Sequence, residues 1–91
     1  VARENLTLLS GAEQLRAFQP PVGVPKHFCQ MCGSALFSGD LEHDEQVGIR
    51  LGSFDEDPGV RPQYRQFVDS AAPWEPLPED GLERYQRSRF G

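Results

Sequence analysis

Two cysteines, two histidines and one methionine are all that 91 residues supply, so few atoms here can bind a soft metal or attack as a thiolate. The cysteines stand three apart, at Cys29 and Cys32. A disulfide at that spacing would be a redox pair, not a staple across a long loop. Positive charge is scarce too: nine Lys and Arg face fourteen carboxylates, for a formal net charge of -5. No basic stripe is available to neutralise phosphates, so no nucleic-acid partner is expected. The densest cationic stretch, Arg84, Arg87 and Arg89, reads as a solvated tail. No apolar run nears the roughly 18 residues that cross a bilayer, and no basic-then-apolar leader is visible. The expectation is a cytoplasmic chain with no membrane partner. Val1 stands where an initiating Met is usual, which reads as a processed product or a piece of a longer gene.

What is present is aromatic. Apolar residues make up 37% of the chain, below the globular average of roughly 45–50%, but six Phe, two Tyr and one Trp suit a small aromatic-anchored core. The length fits one domain at most, and a domain this short often leans on a metal or a partner. Short stretches between Pro- and Gly-rich turns predict a mainly β chain of antiparallel strands. Asn5–Leu9 reads as a strand, and Ala12–Phe18 as either a helical turn or a strand. Ala35–Ser38 reads as the return arm of a hairpin. The alternation in Gln46–Leu51 predicts the clearest strand, with Val47, Ile49 and Leu51 buried. Tyr64–Val68 is a further strand candidate, and Gly81–Arg89 a short helix or an extended tail.

The strongest local signal is Phe28-Cys29-Gln30-Met31-Cys32-Gly33-Ser34. Two cysteines at this spacing can place both sulfurs on one metal ion. Gly33 can take a positive φ and turn backbone amides towards the thiolates. This is the pattern of a zinc knuckle, and structural zinc favours four ligands, thiolates among them. A thioredoxin-like redox pair is a rival reading, but it needs a helix starting at the first cysteine. A pair of ordinary buried thiols is another. The knuckle supplies two ligands of four. His27 on an extended arm would point away from the metal, and His43 sits in an acidic turn that reads as solvated. The site is therefore expected to be completed by a second copy in a homodimer with a shared four-cysteine zinc, or by a missing N-terminal segment, or to stand empty.

The run Phe28-Cys29-Gln30-Met31-Cys32-Gly33-Ser34-Ala35-Leu36-Phe37 resembles a segment of the glutathione-dependent formaldehyde-activating enzyme family, whose members include centromere protein V-like proteins. Val47–Asp55, Ala72-Pro73-Trp74, Asp80-Gly81-Leu82 and Leu8–Gly11 resemble further blocks of the family in the same order. The resemblance implies a Mss4-like, all-β fold, here partial or truncated: residues 1–91 as a single incomplete domain that corresponds to the C-terminal portion of the family's. It implies a structural zinc with Cys29 and Cys32 as two ligands and an N-terminal C-x-C-G motif as the others. It implies carbon–sulfur lyase-like chemistry on an adduct of glutathione and formaldehyde, at a second zinc held by a cysteine cluster. Neither N-terminal cysteine group is in this sequence, so no catalytic residue is assigned and no catalysis is expected of this chain. Arg65-Gln66-Phe67 and Glu83 depart from the family pattern.

Trp74 reads as a ligand platform or as a core anchor for the proline-rich segment. Phe28, Phe37, Phe54, Phe67 and Tyr64 read as core. Asp55-Glu56-Asp57 lacks the alternating oxygens of a calcium loop and reads as solvated. Three functions stand side by side: a zinc-binding domain of the lyase family, a non-catalytic β domain that dimerises through a shared zinc, and a small C-x-x-C redox protein.

Overall fold

The computed structural model describes residues 1–90, and their contacts divide the chain into two compact units, the first Val1–Pro58 and the second from Gly59 onward. The chain is mainly β, as expected. In the first unit β1 (Leu15–Phe18), β2 (Lys26–Cys29), β3 (Ala35–Ser38) and β4 (Gly48–Ile49) form one antiparallel sheet in chain order. Ala12–Gln14 closes a 3-10 turn before β1, so the ambiguous segment holds both of its readings in succession. Gln19 closes the β1–β2 loop by donating from Nε2 to the carbonyls of Pro20 and Gly23. Pro20 and Pro21 cannot extend a ladder, and the strand ends before them.

The β2–β3 hairpin carries a bulge between His27 and Phe28, so that His27 faces Phe37 while Phe28 faces Ala35. An extra residue at this point bends the strand and increases its twist. At the far side of β3, Ser38 pairs with Gly48. A Cβ on Gly48 would meet the Ser38 hydroxyl, which would have to rotate away. Beyond β4 the chain start is zipped on: the Val1 ammonium donates to the Val47 carbonyl at 2.8 Å, and the Val47 amide returns to the Val1 carbonyl at 2.9 Å. Val47, 4% exposed, is the buried hydrophobic residue among the described ones. Its burial contributes about 2 kcal/mol.

Several expected strands contract. Asn5–Leu9 has no strand partner; a 3-10 turn occupies Arg3–Asn5, and Leu9 is almost fully exposed. Of Gln46–Leu51 only Gly48 and Ile49 pair in a ladder. The Ser53 hydroxyl captures the Arg50 carbonyl at 2.7 Å and turns Leu51–Ser53 into a 3-10 turn, leaving Leu51 exposed. Phe54 and Phe67 are exposed as well and are not core.

In the second unit, β5 (Tyr64–Arg65) and β6 (Glu83–Arg84) pair in parallel. Phe67 ends the strand expected over Tyr64–Val68, since it takes a left-handed φ of 55° before a 3-10 turn at Val68–Ser70. Gly81–Arg89 takes the extended option. Tyr64 and Tyr85 meet edge to face with centroids 5.8 Å apart, and the Arg89 guanidinium lies 4.6 Å over the Tyr64 ring. Arg84 donates to the Pro78 carbonyl. Two members of the cationic stretch expected to be solvated are therefore engaged.

Candidate metal centre

The turn between β2 and β3 positions both cysteines. The Cys29 amide donates to the Ser34 carbonyl at 2.9 Å, and the Gly33 amide donates back to the Cys29 carbonyl at 2.7 Å. The second bond requires the chain to reverse within four residues, and Gly33 does so at φ 80°. A Cβ at Gly33 would meet nothing within 4 Å, so the demand for glycine is one of backbone conformation alone. The turn is also pinned sideways. The Gln30 amide donates to the Gln14 carbonyl, and the Gln30 side-chain amide donates to Gln14 Oε1 at 2.7 Å.

The two sulfurs differ in setting. Cys29 is half-buried and Cys32 exposed, and both are free thiols. Cys29 borders a small apolar cavity of about 250 Å³ with Gly11, Leu15 and Leu36. Cys32 Sγ lies 3.3 Å from the Ser34 hydroxyl. The Ser34 hydroxyl, then the Ser34 backbone, then the Cys29 side chain hold the Cys32 thiol below its ordinary pKa. Such an environment favours the thiolate, which is the metal-binding form.

The donor set suits half of a tetrahedral zinc site. Among the described residues no group of three or more His, Cys, Asp or Glu gathers to hold a metal. Neither histidine joins the knuckle. His27 Nε2 bonds the Gly39 carbonyl at 3.1 Å. His43 Nδ1 bonds Asp40 Oδ2 at 3.0 Å, within a turn where Asp40 Oδ1 accepts the Glu42 and His43 amides. Those contacts, the Glu42 amide foremost and the His43 side chain next, hold the Asp40 carboxyl below its ordinary range.

Trp74 belongs to the second unit and is 83% exposed. Of its two readings, a buried anchor does not describe it. Sequence reasoning passed over two residues beside the knuckle. Ser34 sits against Cys32, and its place directly after Cys-Gly was the available signal. Arg50 shares a cleft with Ser34 and Ser53; its signal was a cation among Val47, Ile49 and Leu51.

A family model described as glutathione-dependent formaldehyde-activating enzyme matches residues 1–70. That span includes Cys29, Cys32 and the whole four-stranded sheet, while the Ala72-Pro73-Trp74 and Asp80-Gly81-Leu82 segments lie beyond it. No curated protein matches the chain, and no solved structure does.

Proposed function

This chain belongs to the glutathione-dependent formaldehyde-activating enzyme family, and from that premise we propose that it is a zinc-binding domain of this carbon–sulfur lyase-like family, without catalysis of its own. Cys29 and Cys32 are its two zinc ligands. Zinc bound there would act structurally, neutralising two thiolates and tying the β2–β3 hairpin into a closed site. The observation that carries this reading is the hydrogen-bonded turn from Cys29 to Ser34, which presents two thiols within a family-matched span. The remaining two ligands come from outside the described residues. A second copy pooling its cysteines across a two-fold axis and an N-terminal C-x-C-G segment are the two sources. Among the described residues one hydrophobic side chain, Val47, is buried, which supports a fold that gains cover from further chain or a partner. The proposed architecture is a partial Mss4-like fold, nearest to the C-terminal portion of the domain in centromere protein V-like members, and its proposed place is the cytoplasm, where thiols stay reduced.

The redox alternative draws on the lowered Cys32 thiol. Against it, residues 30–32 form a turn and β3 follows, so no helix begins at Cys29 to activate a thioredoxin-like pair.

Metal content and oligomeric state of the purified chain test the proposal together. One zinc per two chains, lost with the dimer in Cys29→Ser, supports a shared site. One zinc per monomer rules sharing out, and no zinc uptake in any form overturns the metal reading. Turnover of the formaldehyde–glutathione adduct by the chain would overturn the non-catalytic assignment.

A further inference from the structure

The chain's negative charge is not spread evenly. Residues 59–91 hold five arginines and five carboxylates, so the net charge of -5 falls wholly on Val1–Pro58. Part of that charge borders a groove beside β1. Gly39, at φ 104°, turns the chain out of β3 and is held against β2 on both sides. Its amide donates to the Pro25 carbonyl at 2.9 Å, and its carbonyl is bonded by His27 Nε2. This hold sets Asp40, Leu41 and Glu42 opposite Leu15 and Ala17, around a groove of about 500 Å³. The volume lies within the range of roughly 300–1,000 Å³ typical of small-molecule sites. Leu8, Leu15 and Leu41 give the groove apolar walls. The polar side chains that border it are acceptors, Arg16 excepted. Asp40 already accepts the Glu42 and His43 amides at Oδ1 and meets His43 at Oδ2. Among the described residues, no hydrogen bond or ion pair engages the Glu42 carboxylate. None reaches His27 Nδ1 either, which a neutral ring offers as an acceptor. Arg16 spends its guanidinium on the Glu13 and Leu15 carbonyls.

We infer that this groove binds a small aliphatic monoamine, its ammonium paired with the Glu42 and Asp40 carboxylates and its hydrocarbon against Leu8, Leu15 and Leu41. A primary ammonium is a compact point charge with three donors and no acceptor, which matches walls that offer acceptors. Bonds between ammonium and carboxylate are charge-assisted and stronger than neutral ones, and each methylene that the leucines cover adds to them. The negative field of the unit draws cations and turns anions away. That field alone would favour a diamine over a monoamine. It is screened beyond roughly 8 Å at physiological salt, whereas the Arg16 guanidinium borders the groove itself and repels a second ammonium at short range. The local charge therefore decides for the monoamine. The groove uses neither cysteine, so the inference stands apart from the metal reading.

The test is a titration of the full chain with isoamylammonium chloride, followed by amide chemical shifts. Saturable shifts centred on Leu15–Ala17 and Asp40–Glu42 are expected, with affinity falling about ten-fold in Glu42→Gln, as loss of a charge-assisted pair implies. Glu56→Gln, outside the groove, should retain all of the affinity. Isoamyl alcohol, which keeps the hydrocarbon and lacks the charge, should bind at least as weakly as the ammonium binds Glu42→Gln. Methylammonium, which keeps the charge and lacks the hydrocarbon, should also bind more weakly. Cadaverine should bind wild-type protein no more tightly than isoamylammonium and should gain on it in Arg16→Gln. Equal binding of the alcohol or of methylammonium, an unchanged affinity in Glu42→Gln, or no saturable shift at tens of millimolar probe would each overturn the inference. A wild-type preference for cadaverine would overturn the monoamine assignment. In wild-type protein a fall in affinity with added salt is also required, which keeps the idea testable if Glu42→Gln fails to fold.

Discussion

The two units of this chain differ in how far a backbone ladder carries them. Val1–Pro58 is organised by a backbone ladder: four antiparallel strands, a chain start zipped to Val47, and a turn in which Cys29 both donates and accepts. Among the described residues, the unit from Gly59 onward has one two-residue parallel pairing, continued by backbone bonds such as Phe67 to Arg87 and Val68 to Tyr85, and adds side-chain contacts: Tyr64 with Tyr85, Arg89 over Tyr64, and the Arg65–Asp80 pair. Even its strand register has a side-chain cost. Arg65 stands opposite Arg84, and each cation is turned to its own acceptor, Asp80 for one and the Pro78 carbonyl for the other. The difference teaches where function can be placed. A four-stranded ladder fixes a turn firmly enough to present two thiols; two half-buried tyrosines and an ion pair around a two-residue pairing do not fix a site in that way. Trp74, the residue of the second unit with the best claim to touch a ligand, correspondingly stands on the less constrained scaffold.

The contrast can be broken most forcefully at Val47. Val47→Asp buries a carboxylate where the first unit has its buried valine, and should cost about 3 kcal/mol or more, read as a collapse of the urea midpoint and of amide protection in β2 and β3. A midpoint that scarcely moves would mean that the ladder does not depend on this residue. In the second unit, Tyr85→Leu keeps an apolar side chain but removes the edge-to-face contact. It should cost about 1 kcal/mol and expose the Val68 amide, which donates to the Tyr85 carbonyl, to faster exchange. Unchanged exchange would put that unit under backbone control after all.

The smallest effect concerns Asp80. Its carboxyl is held below the ordinary aspartate range, first by Arg65 and then by the Leu82 amide. A carboxyl with a depressed folded pKa lends stability that is fully present above the unfolded value, about 3.9, and is lost as pH falls through the lowered one. The Leu82 amide, which donates to Asp80 Oδ1, should therefore show no step between pH 7 and about pH 5 and a step only below about pH 4. Asp80→Asn should remove it. A midpoint at or above the usual aspartate value would show that the pair with Arg65 contributes nothing.

How much of this could be read from the sequence depended on whether the signal was local. The knuckle was legible because Cys-x-x-Cys-Gly encodes its own turn, and the return arm Ala35–Ser38 matches the observed strand to the residue. Asn5–Leu9 misled because a strand needs a partner as well as an apolar pattern, and pairing is not written in one segment. Gln46–Leu51 was cut short by the Ser53 hydroxyl, a local side-chain bond that competes with the ladder. The parallel pairing of β5 with β6 was out of reach for another reason. Parallel strands need a long crossover, normally helical, and here the connection runs through Pro73, Pro76 and Pro78. At the candidate site, the two thiols were found by spacing. Ser34 carried a local signal that went unused, whereas Arg50 was out of reach, since its approach to β3 comes from the β3–β4 pairing.

His27 is held by a bond whose direction has a spectroscopic consequence. A carbonyl can only accept, so the contact with Gly39 puts the ring proton on Nε2 and leaves Nδ1 with its lone pair when the ring is neutral. The two nitrogens of that tautomer resonate far apart in a long-range proton–nitrogen correlation, whereas a ring exchanging freely between tautomers gives averaged positions. Because this link ties β2 to the residue just past the end of β3, His27 is a built-in reporter: averaging of its nitrogen shifts would announce that the cysteine-bearing hairpin has begun to open.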